Sequence, residues 1–278
     1  MDPEVAGVRE WYNLTAASFS QRYEGIGGLF WKIFEETLAL ELLGQPGPRL
    51  LDLGCGPGRL VEGLSGVAKC VVGVDISEAM IQIAQSRPHP RNVHYAIVDA
   101  TRAAFASGTF EAIISLGMFE YLSDPGPFLC EILRLLRPGG RLIFTCHSQA
   151  GERFLWWWTL PARAWRKTRR RLLPDRGAAA VDPTYGQPVE IRDRLFSKVL
   201  HRPQELRRVL EGQGFHSVSY RGFLFPPSVS LFNLASRLPT RSSMQAGVEA
   251  ARRLDRQLGR SSTRDLTTLA MFVAHKPV

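Results

Sequence analysis

Apolar positions along this chain recur with two periods, and the alternation between them predicts strands separated by helices. Leu29, Phe30, Trp31, Ile33, Phe34, Leu38 and Leu42 follow helical spacing, so the second half of a helical region over Glu4–Leu43 packs on a core. Gly44 to Pro48 connects it to Pro48–Leu53, a short apolar run that reads as a buried parallel strand. Cys70–Asp75, Val93–Val98, Phe110–Leu116 and Arg141–Cys146 read the same way. Helical patterns separate them: Arg59–Val67, a helix after Asp75 with Ser77 as its N-cap, and Phe128–Leu136, stopped by Arg137-Pro138-Gly139-Gly140. Further on, Arg202–Gly212 reads as a helix opened by an early proline, Gly214–Tyr220 as a sixth strand, and Leu266–His275 as the last. No internal repeat and no low-complexity segment interrupts this alternation, which is that of an α/β domain.

The first strand ends in Asp52-Leu53-Gly54-Cys55-Gly56-Pro57-Gly58. Glycines directly after a strand let the backbone turn sharply and approach a ligand with no Cβ in the way. The third glycine comes one residue too early for the dinucleotide pattern Gly-x-Gly-x-x-Gly. A second acid, Asp75, closes the second strand 17 residues beyond Gly58, where a carboxylate can accept hydrogen bonds from a ribose diol. The third strand likewise ends at Asp99-Ala100, and the fourth runs into Leu116-Gly117-Met118-Phe119-Glu120-Tyr121. Asp52, Gly54, Gly56 and Gly58, with the Arg-Pro-Gly-Gly-strand unit, resemble the class I S-adenosylmethionine-dependent methyltransferases of the small-molecule and lipid type. The resemblance is tight over residues 48–147 and looser over 203–222 and 266–276.

That resemblance implies a fold: α/β, a doubly wound, mostly parallel sheet of seven strands in the order 3-2-1-4-5-7-6, with the last strand antiparallel beside the sixth and helical cap insertions. It implies an organisation too. Residues 1–47 would cover the cofactor site, 48–150 form the cofactor-binding core, 151–202 an aromatic and basic cap, and 203–278 the rest of the sheet with a second insertion at about 223–264. S-adenosylmethionine is the implied cofactor. Its implied neighbours are Asp52, Gly54, Cys55, Gly56 and Gly58 in the loop, Asp75 at the ribose, Ile76 and Met80 beside the adenine, Asp99 and Ala100 at the adenine amino group, Leu116 and Gly117 after the fourth strand, and Tyr23 from the N-terminal segment. Tyr23, with Tyr12 and Arg22, either contacts the methionine carboxylate or packs helices; both readings stay open.

Composition adds compartment and partner. Hydrophobic residues make up 45% and charged residues 22% of the 278, as in ordinary globular domains. Cys55, Cys70, Cys130 and Cys146 form no Cys-x-x-Cys pair and read as small buried residues, so neither disulfides nor a metal is expected. The acidic start, Met1-Asp2-Pro3-Glu4, does not read as a signal peptide, and no apolar run approaches the roughly 20 residues that span a bilayer. The expected location is cytoplasmic, with peripheral contact at a membrane left open. Charge is uneven: residues 1–150 hold 12 Lys/Arg against 16 Asp/Glu, and residues 151–278 hold 23 against 10. The basic half calls for an anionic partner.

The segment after the fifth strand, Phe154-Leu155-Trp156-Trp157-Trp158, leads into a run from Pro161 to Arg176 with seven basic residues and one acid. Three consecutive tryptophans on a helix sweep about 200°, wider than one core face. At least one ring therefore meets a lipophilic substrate, a partner or a membrane interface. Pro161 argues against one uninterrupted helix, and Ala178–Pro188 reads as a loop.

Methyl transfer from a sulfonium is an in-line displacement, so holding the reactants in line does most of the work and no triad is needed. A hydroxyl acceptor benefits from a base. His147, just past the fifth strand, is the first candidate, with Tyr121 and Glu120 next. A small-molecule or lipid-like acceptor is the reading adopted, with nucleic acid disfavoured because no appended RNA-binding module is evident. An RNA methyltransferase and a non-catalytic assembly or membrane-associated factor on the same fold are the rivals. The oligomeric state is not legible.

Overall fold

The structure is a computed structural model that describes residues 3–21, 23–24, 29–44, 47–122, 124–172, 189–191, 194–196, 199–235, 241–260 and 262–278. Seven strands form the main sheet: β1 (Arg49–Leu53), β2 (Cys70–Asp75), β3 (Val93–Ile97), β4 (Phe110–Ser115), β5 (Leu136–His147), β6 (His216–Phe223) and β7 (Leu269–His275). Their spatial order is 3-2-1-4-5-7-6, as the sequence implied. The first five are parallel; β7 pairs antiparallel with both β5 and β6. A separate two-stranded ribbon pairs Val189–Ile191 with Arg194–Phe196.

Strand alternation divides the core between the two faces of the sheet. Leu50, Val71, Ile143 and Met271 point into one cluster; their neighbours Leu51, Leu142, Phe144 and Phe272 point into the other. The first face is covered by the N-terminal region and the C-terminal insertion. Phe34 lies in a π-helical stretch (Lys32–Glu36) and Leu38 in α2 (Thr37–Leu43). Both join Phe232 of α8 (Pro226–Ala235) and Ala251 of α9 (Arg241–Arg260). The second face is covered by Phe128 and Ile132 of α5 (Gly126–Leu135) and by Leu206 and Leu210 of α7 (Pro203–Gly212). The remaining helices are α1 (Pro3–Gln21), α3 (Val61–Ser65), α4 (Glu78–Ser86) and α6 (Gln149–Leu172).

Four local readings are corrected. Pro161 does not interrupt α6, which runs continuously through it. A proline deletes one backbone donor, the one that would reach the Trp157 carbonyl. Trp157 lies on the exposed side of the helix, where water can satisfy that carbonyl. The Arg-Pro-Gly-Gly unit does not merely end a helix. It is a bulge inside β5, between Leu136 opposite Phe110 and Arg141 opposite Ala112. A Cβ at Gly140 would lie 2.9 Å from the Arg137 carbonyl and 3.1 Å from that of Glu111, so only glycine fits. Cys130 is exposed rather than buried, its thiol 3.6 Å from Gln213 Oε1. Leu266, expected to open the last strand, instead closes a 3-10 turn (Ser262–Leu266), and the strand begins at Leu269. The loop expected over Ala178–Pro188 lies outside the described residues, as does Arg22.

Candidate active site

The glycine loop leaves the carboxyl end of β1 and is held by the neighbouring strand. The Gly54 and Cys55 amides both donate to the Val74 carbonyl, at 2.8 and 2.9 Å. Gly54, Gly56 and Gly58 adopt φ of +78°, +52° and +78°, where side chains are rarely tolerated. Gly58 also has no room: a Cβ there would lie 2.5 Å from the Tyr95 hydroxyl and 3.3 Å from Ala84 of α4. The loop is thus pinned between strand and helix, in a conformation its glycines alone permit.

Asp75, at the tip of β2, ties this loop to the next helix. Its Oδ2 accepts from the Gly56 amide at 2.9 Å and its Oδ1 from the Ser77 amide at 2.8 Å. Burial raises its pKa while those backbone donors lower it. Ser77 caps α4 through the Met80 amide, and Met80 itself is fully buried. Ile76 is half-buried between them. Asp52 lies one strand over, fully buried, with Oδ2 lacking a hydrogen-bond partner among the described residues. Burial pushes its pKa up to about 7 against the pull of Arg59.

Asp99 turns its Oδ1 inward, accepting from the amide and hydroxyl of Thr101 at 2.9 and 2.7 Å; Ala100 packs on the second core cluster. Leu116 packs on the first, and Gly117, with φ +70°, anchors its amide to Thr145 Oγ1 at 2.7 Å and has open space where a side chain would stand. Cys55 is buried, its thiol directed at the Gly56 carbonyl, and burial drives its pKa well above the ordinary value.

The family model described as "Methyltransferase domain" matches residues 51–144. The chain is 32% identical over 112 residues to a ubiquinone biosynthesis O-methyltransferase of Thiobacillus denitrificans, covering 39% of this chain and 48% of that one. It is 30% identical over 147 residues to a malonyl-[acyl-carrier protein] O-methyltransferase of Methylococcus capsulatus, covering 51% and 53%. In fold it matches a Synechocystis magnesium protoporphyrin IX methyltransferase with bound S-adenosylhomocysteine, with a TM-score of 0.56 at 17% identity over 98% of this chain and 99% of that one. Residues 51–144 thus carry a methyltransferase domain. The chain spans about half the length of the curated relatives it matches.

The N-terminal helix α1 lies across the glycine loop and the start of α4. Asn13 Oδ1 accepts from Ser77 Oγ at 2.7 Å and from the Ala79 amide at 3.2 Å; Ser20 Oγ takes a hydrogen bond from Arg87 at 2.6 Å. Tyr12 donates to the Tyr121 hydroxyl at 2.7 Å, beyond β4. A Cβ at Gly56 would meet the Phe19 ring, 3.9 Å away. Tyr23 meets Phe19 edge to face and faces Arg59, whose guanidinium sits 4.7 Å from the ring centroid. Arg59 bonds Glu36 at 2.9 Å and also Glu35. Burial works against its charge, but Glu35, Tyr23 and Glu36 hold it ionised. Burial in turn raises the pKa of Glu35.

Beyond β4 and β5 the structure brings together two of the three residues expected as proton-transfer candidates. His147 Nε2 lies 3.5 Å from Glu120 Oε1, and its Nδ1 lies 3.0 Å from Glu152 Oε1, in the first turn of α6. Tyr121 instead turns toward Tyr12. His201 completes the group: its amide donates to the His147 carbonyl at 2.9 Å and its ring faces Phe119. Burial lowers the His201 pKa, against the pull of Glu120, so it stays neutral near pH 7. Asn13, Phe19, Glu35, Arg59, Glu152 and His201 were all missed in the sequence. Only Arg59, directly after the last loop glycine, and Glu152, one turn beyond His147, carry a positional signal.

Proposed function

We propose that this chain is a methyltransferase that binds S-adenosylmethionine on the 52–58 loop and passes its methyl group to a small-molecule or lipid-like acceptor. The observation that carries the reading is the carboxylate pair bracketing that loop: half-buried Asp75 bonded to Gly56, and buried Asp52 with an unsatisfied oxygen. Among the described residues the surroundings hold Asp52, Asp75, Glu35 and Glu36 against Arg59 and Arg87, an acidic excess that suits a ligand bearing both a sulfonium and an ammonium group. Asp52 would meet the ammonium, Asp75 the ribose and Asp99 the adenine edge; Gly54, Cys55, Gly56, Gly58, Ile76, Met80, Ala100, Leu116, Gly117 and Tyr23 would line the rest. When bound, the cofactor supplies an activated methyl group. The protein's own work is to orient, to exclude water, and to take a proton where the acceptor has one to lose. The ubiquinone-biosynthesis and malonyl-carrier relatives support an oxygen acceptor. The protein would act inside the cell and at, not across, a membrane; no described helix is long and apolar enough to cross one.

Asp75→Ala tests the cofactor assignment. Calorimetry with S-adenosylhomocysteine should show affinity weakened by at least about tenfold, since a charge-assisted hydrogen bond is worth roughly 1.5–3 kcal/mol. Unchanged affinity in a folded variant defeats the assignment. For proton transfer, His147 is the base, with Glu152 fixing its tautomer and Glu120 beside its other nitrogen. With an oxygen acceptor, His147→Asn should lower turnover by about 10²–10⁴-fold and leave cofactor affinity alone. Glu152→Gln should shift the pH–rate profile. A His147 variant of normal rate would return this cluster to a structural role.

A further inference from the structure

The aromatic segment beyond β5 is presented outward. Trp156, Trp157 and Trp158 are 47%, 64% and 45% exposed on α6, with Leu160 beside them. They adjoin α8: Trp158 Nε1 donates to Ser230 Oγ at 3.1 Å, and Leu234, one turn beyond Ser230, is 66% exposed. Two helices therefore contribute to one exposed apolar surface, which a soluble monomer rarely tolerates without a partner. The next twelve residues of the same helix, 161–172, carry six Lys/Arg and no acid.

We infer that this surface docks on an anionic lipid bilayer, with α6 lying in the headgroup plane. The chemistry selects that occupant. Tryptophan with lysine and arginine on one amphipathic helix suits the interface between water and acyl chains. Leu160 and Leu234 offer aliphatic surface that gains from acyl chains and has no face to stack on a nucleic-acid base. A second copy of the chain would bring the same basic run against its own image, and like charges repel. Each basic residue near an anionic leaflet adds to the attraction, so six act together without spanning the membrane.

The geometry gives the contact a use. Helix α6 starts directly after His147, and Glu152 of its first turn holds that histidine. Trp157 stands eight residues past Gln149, roughly 12 Å along the axis. The bilayer would then lie beside the acceptor side of the site, and an acceptor carrying a lipid tail could enter without crossing water. This last consequence rests on the methyl-transfer reading; the docking itself does not.

Flotation of the full chain with vesicles tests it. Vesicles of phosphatidylcholine with about 30% phosphatidylglycerol should carry the protein, phosphatidylcholine alone should carry little, and salt should weaken the binding. Trp156→Ser/Trp157→Ser and Arg169→Gln/Arg170→Gln/Arg171→Gln should each lower partitioning by about tenfold while S-adenosylhomocysteine affinity stays unchanged. No flotation at low salt overturns the proposal, as does flotation that neither variant reduces. Salt-sensitive binding to single-stranded RNA without vesicle binding also overturns it, in favour of a nucleic-acid partner. Flotation by a protein that binds no S-adenosylhomocysteine would uphold the docking and defeat only the methyl-transfer reading.

Discussion

Asp52 is where the demands of folding and of binding part company. A carboxyl group at the end of a buried strand, with one oxygen unsatisfied, is held half-ionised near pH 7 because burial raises its pKa to that value. A ligand ammonium beside it would favour the ionised form, so binding should release a proton. Affinity for S-adenosylhomocysteine should rise about tenfold between pH 6 and pH 8, and Asp52→Asn should flatten that rise. Calorimetry in two buffers of different ionisation heat would count the proton directly. In the free protein the sign is opposite. A folded-state pKa above the unfolded value means the native state holds a proton that the unfolded chain has released. Stability therefore falls as pH climbs from 3.8 to about 7. Asp52→Asn should raise the melting temperature at pH 8 while weakening cofactor binding, and a variant that loses both would show the carboxylate to be structural.

At the scale of elements, the join between β6 and α8 turns on one buried side chain. Leu224 adopts φ +57°, costly for a branched residue. Asp255 of α9 holds it there, accepting from the Leu224 and Phe225 amides at 3.1 and 2.7 Å and from Ser228 Oγ. Two amides at the start of α8 are thus satisfied by a residue about thirty positions later. Asp255→Ala should cost about 2–3 kcal/mol in chemical denaturation, since it orphans buried donors. Asp255→Asn should cost less, keeping an oxygen for the amides. This contact also marks where sequence reasoning stops. The strands, the glycine loop and the Ser77 cap were legible because period, turn chemistry and capping are local, whereas the strand order came from the family resemblance. The Asp255 clamp, the Asn13 bond to Ser77 and the pairing of His147 with Glu152 and His201 depend on which helix lands on which strand. The Pro161 error has the same root. A proline's cost is set by whether water reaches the carbonyl it abandons, and that is a property of the packed molecule.

Across the whole molecule, α1 touches both halves of the site. Asn13 and Ser20 tie it to the β2 side; Tyr12 ties it to Tyr121 on the β4 side. Among its described apolar side chains only Ala16 is buried, and Leu14 is 64% exposed, so little core holds it down. The sheet beneath is of another kind, with β4 buried along its whole length. Local opening free energies should differ accordingly: α1 opens alone, and β1, β4 and β5 open only with global unfolding. A ligand seated on the 52–58 loop would lie under Phe19 and between the residues that Tyr12 and Asn13 grasp, and would couple them. Hydrogen exchange with saturating S-adenosylhomocysteine should therefore slow across α1 and residues 52–58 by at least about tenfold, with the strand cores unchanged. Tyr12→Phe/Asn13→Ala should abolish the protection of α1 and weaken affinity by about fivefold, with little change in the melting temperature of the ligand-free protein. Equal protection of α1 with and without ligand would mean the helix is a fixed part of the fold, and the loop would then have to admit its ligand from the side of Gly117.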